Sequence, residues 1–287
     1  MNMPKVAILG NPNCGKTAIF NLLTGLNQKV SNYPGITVEK KTARVNFKRG
    51  ASFDLEDYPG SYSILSQSID EGIVSKNIYN WIRQPDSKPD ALIYVVDINN
   101  IRRNLYFATQ LLELDIPMIL LLNMEDILIE ENRFDYIKLK DKLNISNVIP
   151  FSAVSHKGLD ILKNTLSDIF KDKADVNNNK MSLNDNLLTN IESLSATIKE
   201  VLHIDGDLKH SVSLRFLCNS SHLKDVSLNQ KDEKKILASI DDSLLKIDDE
   251  MKPMLPTLES DLRYGWIDSV LYECSYKKIK VIDKRTR

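Results

Sequence analysis

The sequence predicts an α/β fold, a six-stranded and mostly parallel sheet flanked by helices, followed by a small all-helical domain. Three observations lead to it. Short apolar runs alternate with helical patterns through about residue 170, the strand-like runs then stop, and a polar, asparagine-rich stretch (KDKADVNNNKMSLNDN, residues 171–186) separates the two textures.

Taken in order, Lys5–Leu9 (KVAIL) is a buried strand, followed by a glycine-containing loop and a helix from Lys16 to about Thr24. Val38–Phe47 and Ser52–Asp57 are the next two strands, joined by a turn near Arg49 and Gly50. Ala91–Asp97 (ALIYVVD) and Pro117–Asn123 (PMILLLN) are apolar almost throughout, the pattern of parallel strands covered on both faces. Asn147–Ser152 makes the sixth strand. Helices are predicted at about 66–82, 102–114, 135–143 and 158–170.

Beyond the linker, Leu187, Ile191, Leu194, Ile198, Val201 and Leu202 recur at helical spacing. Ile236, Leu237, Ile240, Leu244 and Ile247 do so again, and Leu258, Leu262, Ile267, Val270 and Leu271 predict a last helix before the basic KKIKVIDKRTR. The predicted division is residues 1–171, a nucleotide-binding α/β domain; 172–270, a helical domain; and 271–287, a basic tail.

The bulk numbers exclude several classes. A net charge of −1 over 287 residues gives no general positive field for nucleic acid. The three cysteines, Cys14, Cys218 and Cys274, form no CxxC pair, so neither a disulfide framework nor a zinc knuckle is expected and a reducing compartment fits. The histidines His156, His203, His210 and His222 have no metal-ligand spacing. No run approaches the roughly 18–20 apolar residues of a membrane helix, and the N-terminus lacks the pattern of a signal peptide, so the chain reads as soluble.

The chemistry is carried by loops at strand ends. Gly10-Asn11-Pro12-Asn13-Cys14-Gly15-Lys16-Thr17, continuing into Ala18, matches GxxxxGK[ST] between a strand and a helix. Its backbone N–H groups would surround phosphates, Lys16 would neutralise the β- and γ-phosphates, and the Thr17 hydroxyl would bind Mg²⁺. Gly35, Ile36 and Thr37 lie in a polar loop, NYPGIT, from which Thr37 could reach Mg²⁺ when a γ-phosphate is present. Asp57-Tyr58-Pro59-Gly60 closes the third strand as DxxG, with Asp57 holding Mg²⁺ through a water and the Gly60 N–H sensing the γ-phosphate.

Guanine specificity is read from Asn123-Met124-Glu125-Asp126, an NxxD after the fifth strand. Asp126 can accept two hydrogen bonds from the guanine N1–H and exocyclic amine, which adenine does not offer. Ser152, Ala153 and Val154 follow the sixth strand, where a backbone N–H would meet the guanine carbonyl oxygen. Singly these motifs are weak; their order makes a GTP-binding, GTP-hydrolysing domain the expectation. Asp97, Asn99 and Asn100 read as a cap for the helix beginning near Arg102. Cys14 reads as a small tolerated loop residue, the charges of 231–250 as a solvated helix face, and Tyr264 and Trp266 as core.

The pattern resembles the Ras-like GTPases and, more closely, the cytosolic N-terminal region of the FeoB family of bacterial ferrous-iron transporters. GNPNCGKTAIFNLLTG, VSNYPGITVEKK, DYPGSYSI, VVDINNIRRNLYFATQLLEL, IPMILLLNMEDI and RYGWID carry that resemblance. It implies a Ras-like P-loop G domain, a helical domain likened to a nucleotide-dissociation inhibitor, and a membrane permease domain absent from this chain. It implies GTP/GDP and Mg²⁺ as ligands, with K⁺ coordinated by Asn13 and completed by the backbone around Tyr33–Gly35. It places Lys16, Asn13, Thr37 and Gly60 in hydrolysis. Ser61 stands where Ras-type enzymes carry a water-orienting glutamine, so slow intrinsic hydrolysis is expected. Tyr58 replaces the family's usual leucine, with little change expected.

The partners implied are the chain's own permease domain, a small cytosolic accessory protein and a further copy of itself, at the cytoplasmic face of the bacterial inner membrane. No side-chain cluster suggests that this region handles iron directly. Two alternatives are a stand-alone ribosome-assembly GTPase of the Era or Der type, which would want a basic RNA-binding domain, and a non-hydrolysing nucleotide-sensing module.

Overall fold

The computed structural model describes residues 3–25, 29–33, 38–47, 52–128, 134–171 and 180–275. Strands β1 (Lys5–Gly10), β5 (Ala91–Asp97) and β6 (Met118–Asn123) are aliphatic because both sheet faces are covered. Along β5, Ala91, Ile93 and Val95 face one core and Leu92, Tyr94 and Val96 the other. The first core is closed by α1 (Lys16–Thr24) and α5 (Leu159–Lys171), through Ile19, Phe20, Leu162 and Leu166. The opposite face is covered by α2 (Ile69–Arg83), α3 (Ile101–Leu111) and α4 (Tyr136–Leu143).

The sheet has seven strands, in the order β2-β3-β4-β1-β5-β6-β7, and the six-strand expectation is corrected by β2 (Lys29–Asn32). All four β2 residues are exposed, so no alternation marks the strand in the sequence. It pairs antiparallel with β3 (Glu39–Asn46), which pairs antiparallel with β4 (Ser52–Asp57); every other pairing, through β7 (Asn147–Pro150), is parallel. Register aligns Gly10 with Val95, Ile8 with Asp57, and Asp97 with Asn123. The loops at the carboxyl ends of β1, β4, β5 and β6 therefore open along one edge, where strand order reverses around β1. That edge is the ligand-binding position of open α/β sheets.

Four long helices follow: α6 (Asp185–Leu202), α7 (Gly206–Cys218), α8 (Gln230–Lys246) and α9 (Leu255–Cys274). No helical period in the sequence predicts α7. Its residues from Ser211 to Leu217 are all buried, so no polar stripe marks a period. The last helix also runs past residue 270, to Cys274, so the first residues assigned to the basic tail are helical. The turn near Arg49 and Gly50, most of the 171–186 stretch and the end of the tail lie outside the described residues.

The helical bundle shares one hydrophobic cluster with the α2–α4 face of the sheet, running from Leu92 and Leu120 through Leu105 and Leu139 to Ile191, Leu194 and Phe216. The α3–α9 contact joins two separate stretches of sequence that carry the family resemblance. Arg102 makes a two-pronged ion pair with Asp268 (2.6 and 2.9 Å), and its guanidinium lies over the Tyr264 ring. Tyr106 stacks on Tyr264, and Arg263 reaches Thr109 and Glu113. Residues 102, 106 and 109 follow one face of α3, Glu113 follows in the 3₁₀ turn Leu112–Leu114, and the RYGWID segment lies along them.

Candidate functional site

Gly15, in the left-handed region at φ 97°, caps α1 at the loop after β1. A Cβ there would lie 2.3 Å from Asn123 Nδ2, so only glycine permits the approach. Asn123 joins three loops: its Nδ2 donates to Cys14 O (2.9 Å) and its Oδ1 accepts from Ala153 N (3.1 Å). Within the Ser152–Val154 stretch expected to offer a backbone N–H to guanine, the Ala153 N–H is engaged by Asn123. Glu125 N donates to Phe151 O, and Lys157 pairs with Glu125 at 2.7 Å, holding the NxxD loop to the loop after β7. Met124, in the left-handed region, turns the chain into the short 3₁₀ segment that presents Asp126 to solvent. Val154 is also exposed.

At the phosphate end, Lys16 Nζ donates to Gly10 O (3.1 Å) and Asn11 O (2.8 Å), folded along its own loop. Burial lowers its pKa, and Asp57 works against that shift. Gly60 meets the loop directly: a Cβ on it would lie 2.8 Å from Pro12 Cα, while Ser61 N donates to Gly10 O at 3.2 Å. Asn13 is exposed with φ 63°, a conformation asparagine tolerates. The Cys14 thiol is buried in the core and pushed up in pKa by that burial, which removes thiolate reactivity and leaves it a packing residue. Tyr58 leaves the site altogether, packed edge-to-face on Trp81.

Asp57 is buried, and its Oδ1 has no hydrogen-bond partner. Burial pushes its carboxyl up to about 6, against Lys16, Lys41 and a hydrogen bond from Thr17. An orphaned carboxylate oxygen beside a hydroxyl is a donor set that fits a divalent cation shared with phosphate oxygens. Gly35, Ile36 and Thr37, the remaining predicted ligands, lie outside the described residues.

The shift has a measurable consequence without metal. A carboxyl raised from 3.8 to about 6 destabilises the folded state, with the penalty growing from about pH 4 and complete above pH 6. Asp57→Asn should therefore stabilise the nucleotide-free, metal-free protein by about 1–3 kcal/mol at pH 8 and by almost nothing at pH 4. Urea melts at the two pH values decide it; equal effects at both would be the wrong sign of evidence.

Residues 4–166 match the family described as ferrous iron transport protein B. The chain belongs to that family. The Fe(2+) transporter FeoB of Methanocaldococcus jannaschii is 32% identical over 292 residues, covering 99% of this chain and 38% of that protein. A Porphyromonas gingivalis Fe(2+) transport protein A/Fe(2+) transporter FeoB fusion protein is 31% identical, with 97% of this chain and 33% of that protein covered. The chain thus spans 33–38% of the length of these proteins.

Among solved structures, the cytosolic domain of L. pneumophila FeoB superposes with a TM-score of 0.75 at 28% identity, covering 95% of this chain and all of that one. An S. thermophilus NFeoB mutant bound to GDP gives 0.73 at 26% identity, with 95% and 99% covered.

The site also holds residues that sequence reasoning passed over. The Tyr94 hydroxyl sits 3.0 Å from Asn11 Oδ1 and 2.7 Å from Asn104 O, supporting the phosphate loop from below. Asp97 caps the 3₁₀ turn Ile98–Asn100 rather than α3 itself. Asp225, from the helical bundle, accepts from Ser66 (2.6 Å), just before α2, and from Ser75 (3.1 Å), midway along it. Nothing in the local sequence around Ser66 or Asp225 signals that pairing, because the partners are 159 residues apart.

Proposed function

We propose that this chain binds GTP and hydrolyses it slowly to GDP and phosphate, and that nucleotide state controls Fe²⁺ uptake through a membrane permease domain of the longer protein. The observation that carries the reading is the meeting of the phosphate loop, DxxG and NxxD at one edge of the sheet, with Asn123 tying phosphate and base loops together. The GDP-bound S. thermophilus relative supports guanine nucleotide as the ligand.

In this reading the Gly10–Thr17 backbone N–H groups hold the phosphates and Lys16 turns from its own loop to neutralise them. Gly60, already against Pro12, presents its N–H to the γ-phosphate, and Asp126 selects guanine. Thr17 and Asp57, with Thr37, would hold Mg²⁺, which would supply positive charge against that developing on the phosphates. Asn13 is the proposed K⁺ ligand. The permease domain, a small accessory protein and a second copy are the proposed partners, at the cytoplasmic face of the inner membrane. Among the described residues no helix is long and apolar enough to cross a membrane.

The non-hydrolysing alternative draws on one observation. Ser61 is fully buried and its hydroxyl donates to Ser63 O at 2.6 Å, so this side chain orients no water. Phosphate release in KCl against NaCl at equal ionic strength, with GDP affinity measured in parallel, separates the readings. Turnover in both salts, several-fold faster in K⁺, is expected. Equal rates remove the Asn13 proposal, and tight GDP binding without turnover in either salt establishes the sensing module instead.

A further inference from the structure

With Ser61 turned inward, the segment after Gly60 is held from elsewhere, and its far end, Ser63 and Ile64, is held by Gln110 on the last turn of α3. Gln110 is fully buried. Its Oε1 accepts from Ile64 N (2.9 Å) and Ser63 Oγ (3.1 Å), and its Nε2 donates to Glu259 Oε1 on α9 (3.1 Å). The amide can sit only one way round: reversed, its NH₂ would face the Ile64 N–H and its oxygen the carboxylate. Glu259 is itself fixed, since Arg215 and Arg263, both buried, donate to the same oxygen at 3.3 and 3.0 Å. At its other end the segment is tied to the phosphate loop through Ser61 N and Gly10 O. Residues 61–64 are therefore strung between the phosphate loop and the helical bundle, with Glu71 of α2 also accepting from Tyr62 N at 3.4 Å and the Gln110 amide as the link to α9.

We propose that Gln110 is a positioning residue for hydrolysis, setting the place of the Gly60–Ile64 backbone relative to the phosphates in an enzyme that has no glutamine at position 61. The inference rests on the GTPase reading above. Gln110 is buried behind the segment and acts only through it. Its loss leaves the Ile64 N–H and the Glu259 carboxylate short of a partner and releases the segment. Misplacement of this kind costs rate rather than ground-state binding, because the nucleotide is gripped by other loops.

Two variants test it: Gln110→Leu and Gln110→Glu. Glu259 is left untouched, because the oxygen facing Gln110 also accepts from Arg215 and Arg263. The readouts are kcat and KM for GTP, GDP affinity and thermal unfolding. Gln110→Leu should lower kcat by about tenfold or more with KM and GDP affinity within about twofold of the parent. Gln110→Glu should fall similarly, because it sets two carboxylates face to face.

An unchanged or raised kcat in the leucine variant, with the parent turning over normally, overturns the role of Gln110 and leaves the GTPase reading standing. So does a fall in GDP affinity parallel to kcat in either variant. A parent that binds GDP and never turns over overturns the GTPase reading and this role together.

Discussion

Arg263→Met should destabilise the folded protein by about 3–5 kcal/mol, read as a lower urea midpoint at unchanged slope. The side chain sits in a buried network of two cations and two anions. Arg263 Nη2 donates to Glu113 Oε1 (2.7 Å) and Glu259 Oε1 (3.0 Å), and Arg215 Nη2 donates to Glu113 Oε2 (3.0 Å) and Glu259 Oε1 (3.3 Å). None of the four side chains is more than 4% exposed. Methionine fills most of the volume and leaves two carboxylates facing one guanidinium out of contact with water. The large effect is the penalty for that imbalance, not the worth of a salt bridge. Adding Glu113→Gln restores balance and should recover part of the loss, whereas an additive result would show that charge balance is not what the network supplies.

The network also gives an acid limb to the stability curve. Burial alone would push the Glu259 carboxyl up, but Arg215 and Arg263 outweigh it and hold it below the ordinary 4.5. A depressed carboxyl contributes stability that is complete above its unfolded value and is lost as pH falls through the folded one. The contribution should therefore persist down to about pH 4.5 and be insensitive to salt, since screening acts weakly on buried pairs. The exposed Arg102–Asp268 pair offers the contrast: its loss should cost less than about 1 kcal/mol.

Asp126→Asn should lower GTP affinity by roughly two to three orders of magnitude, the effect of losing two charge-assisted hydrogen bonds at about 1.5–3 kcal/mol each with partial compensation. The same change should raise affinity for xanthosine nucleotides, whose C2 carbonyl accepts from the asparagine NH₂. Competition against a fluorescent GDP analogue measures both. Retained guanine affinity in the variant, or equal GTP and ATP affinity in the parent, would refute the base-recognition role. The 3₁₀ segment bearing Asp126 is pinned by Glu125 to the loop after β7, so the substitution should perturb recognition without disturbing the phosphate loop.

The strand–loop–helix unit from Lys5 to Thr24 was legible in the sequence because its chemistry is contiguous: an apolar run, a glycine loop and a lysine at fixed spacing. Asp57 and Asn123 were legible because each terminates a strand that reads clearly by itself. Gln110 was not, since a glutamine inside an amphipathic helix carries no mark of what it touches, and its partners lie 46 and 149 residues away. Arg215 was hidden for a related reason. A cation inside α7 suggests a solvent face, and only the convergence of Glu113 and Glu259 makes its burial tolerable. The β2 edge strand escaped because four exposed residues present no pattern. What sequence reading missed was pairing across long separations, which no local period encodes.

The attachment of α9 at both ends has a mechanical meaning. Near its start Glu259 is locked to α3; along its length Asp268 holds Arg102; at its end Asp135 N donates to Cys274 O at 2.9 Å, beside a bridge between Phe134 and Ser275 and a pair between Glu273 and Lys142. Twenty residues of α-helix are about 30 Å long and carry no joint between those fixings. A twist applied at Ser275 would turn α9 and α3 as one stiff body and arrive at Ser63 and Ile64 as displacement. α9 is built as a torsion rod, with the segment beside Gly60 mounted at its far end.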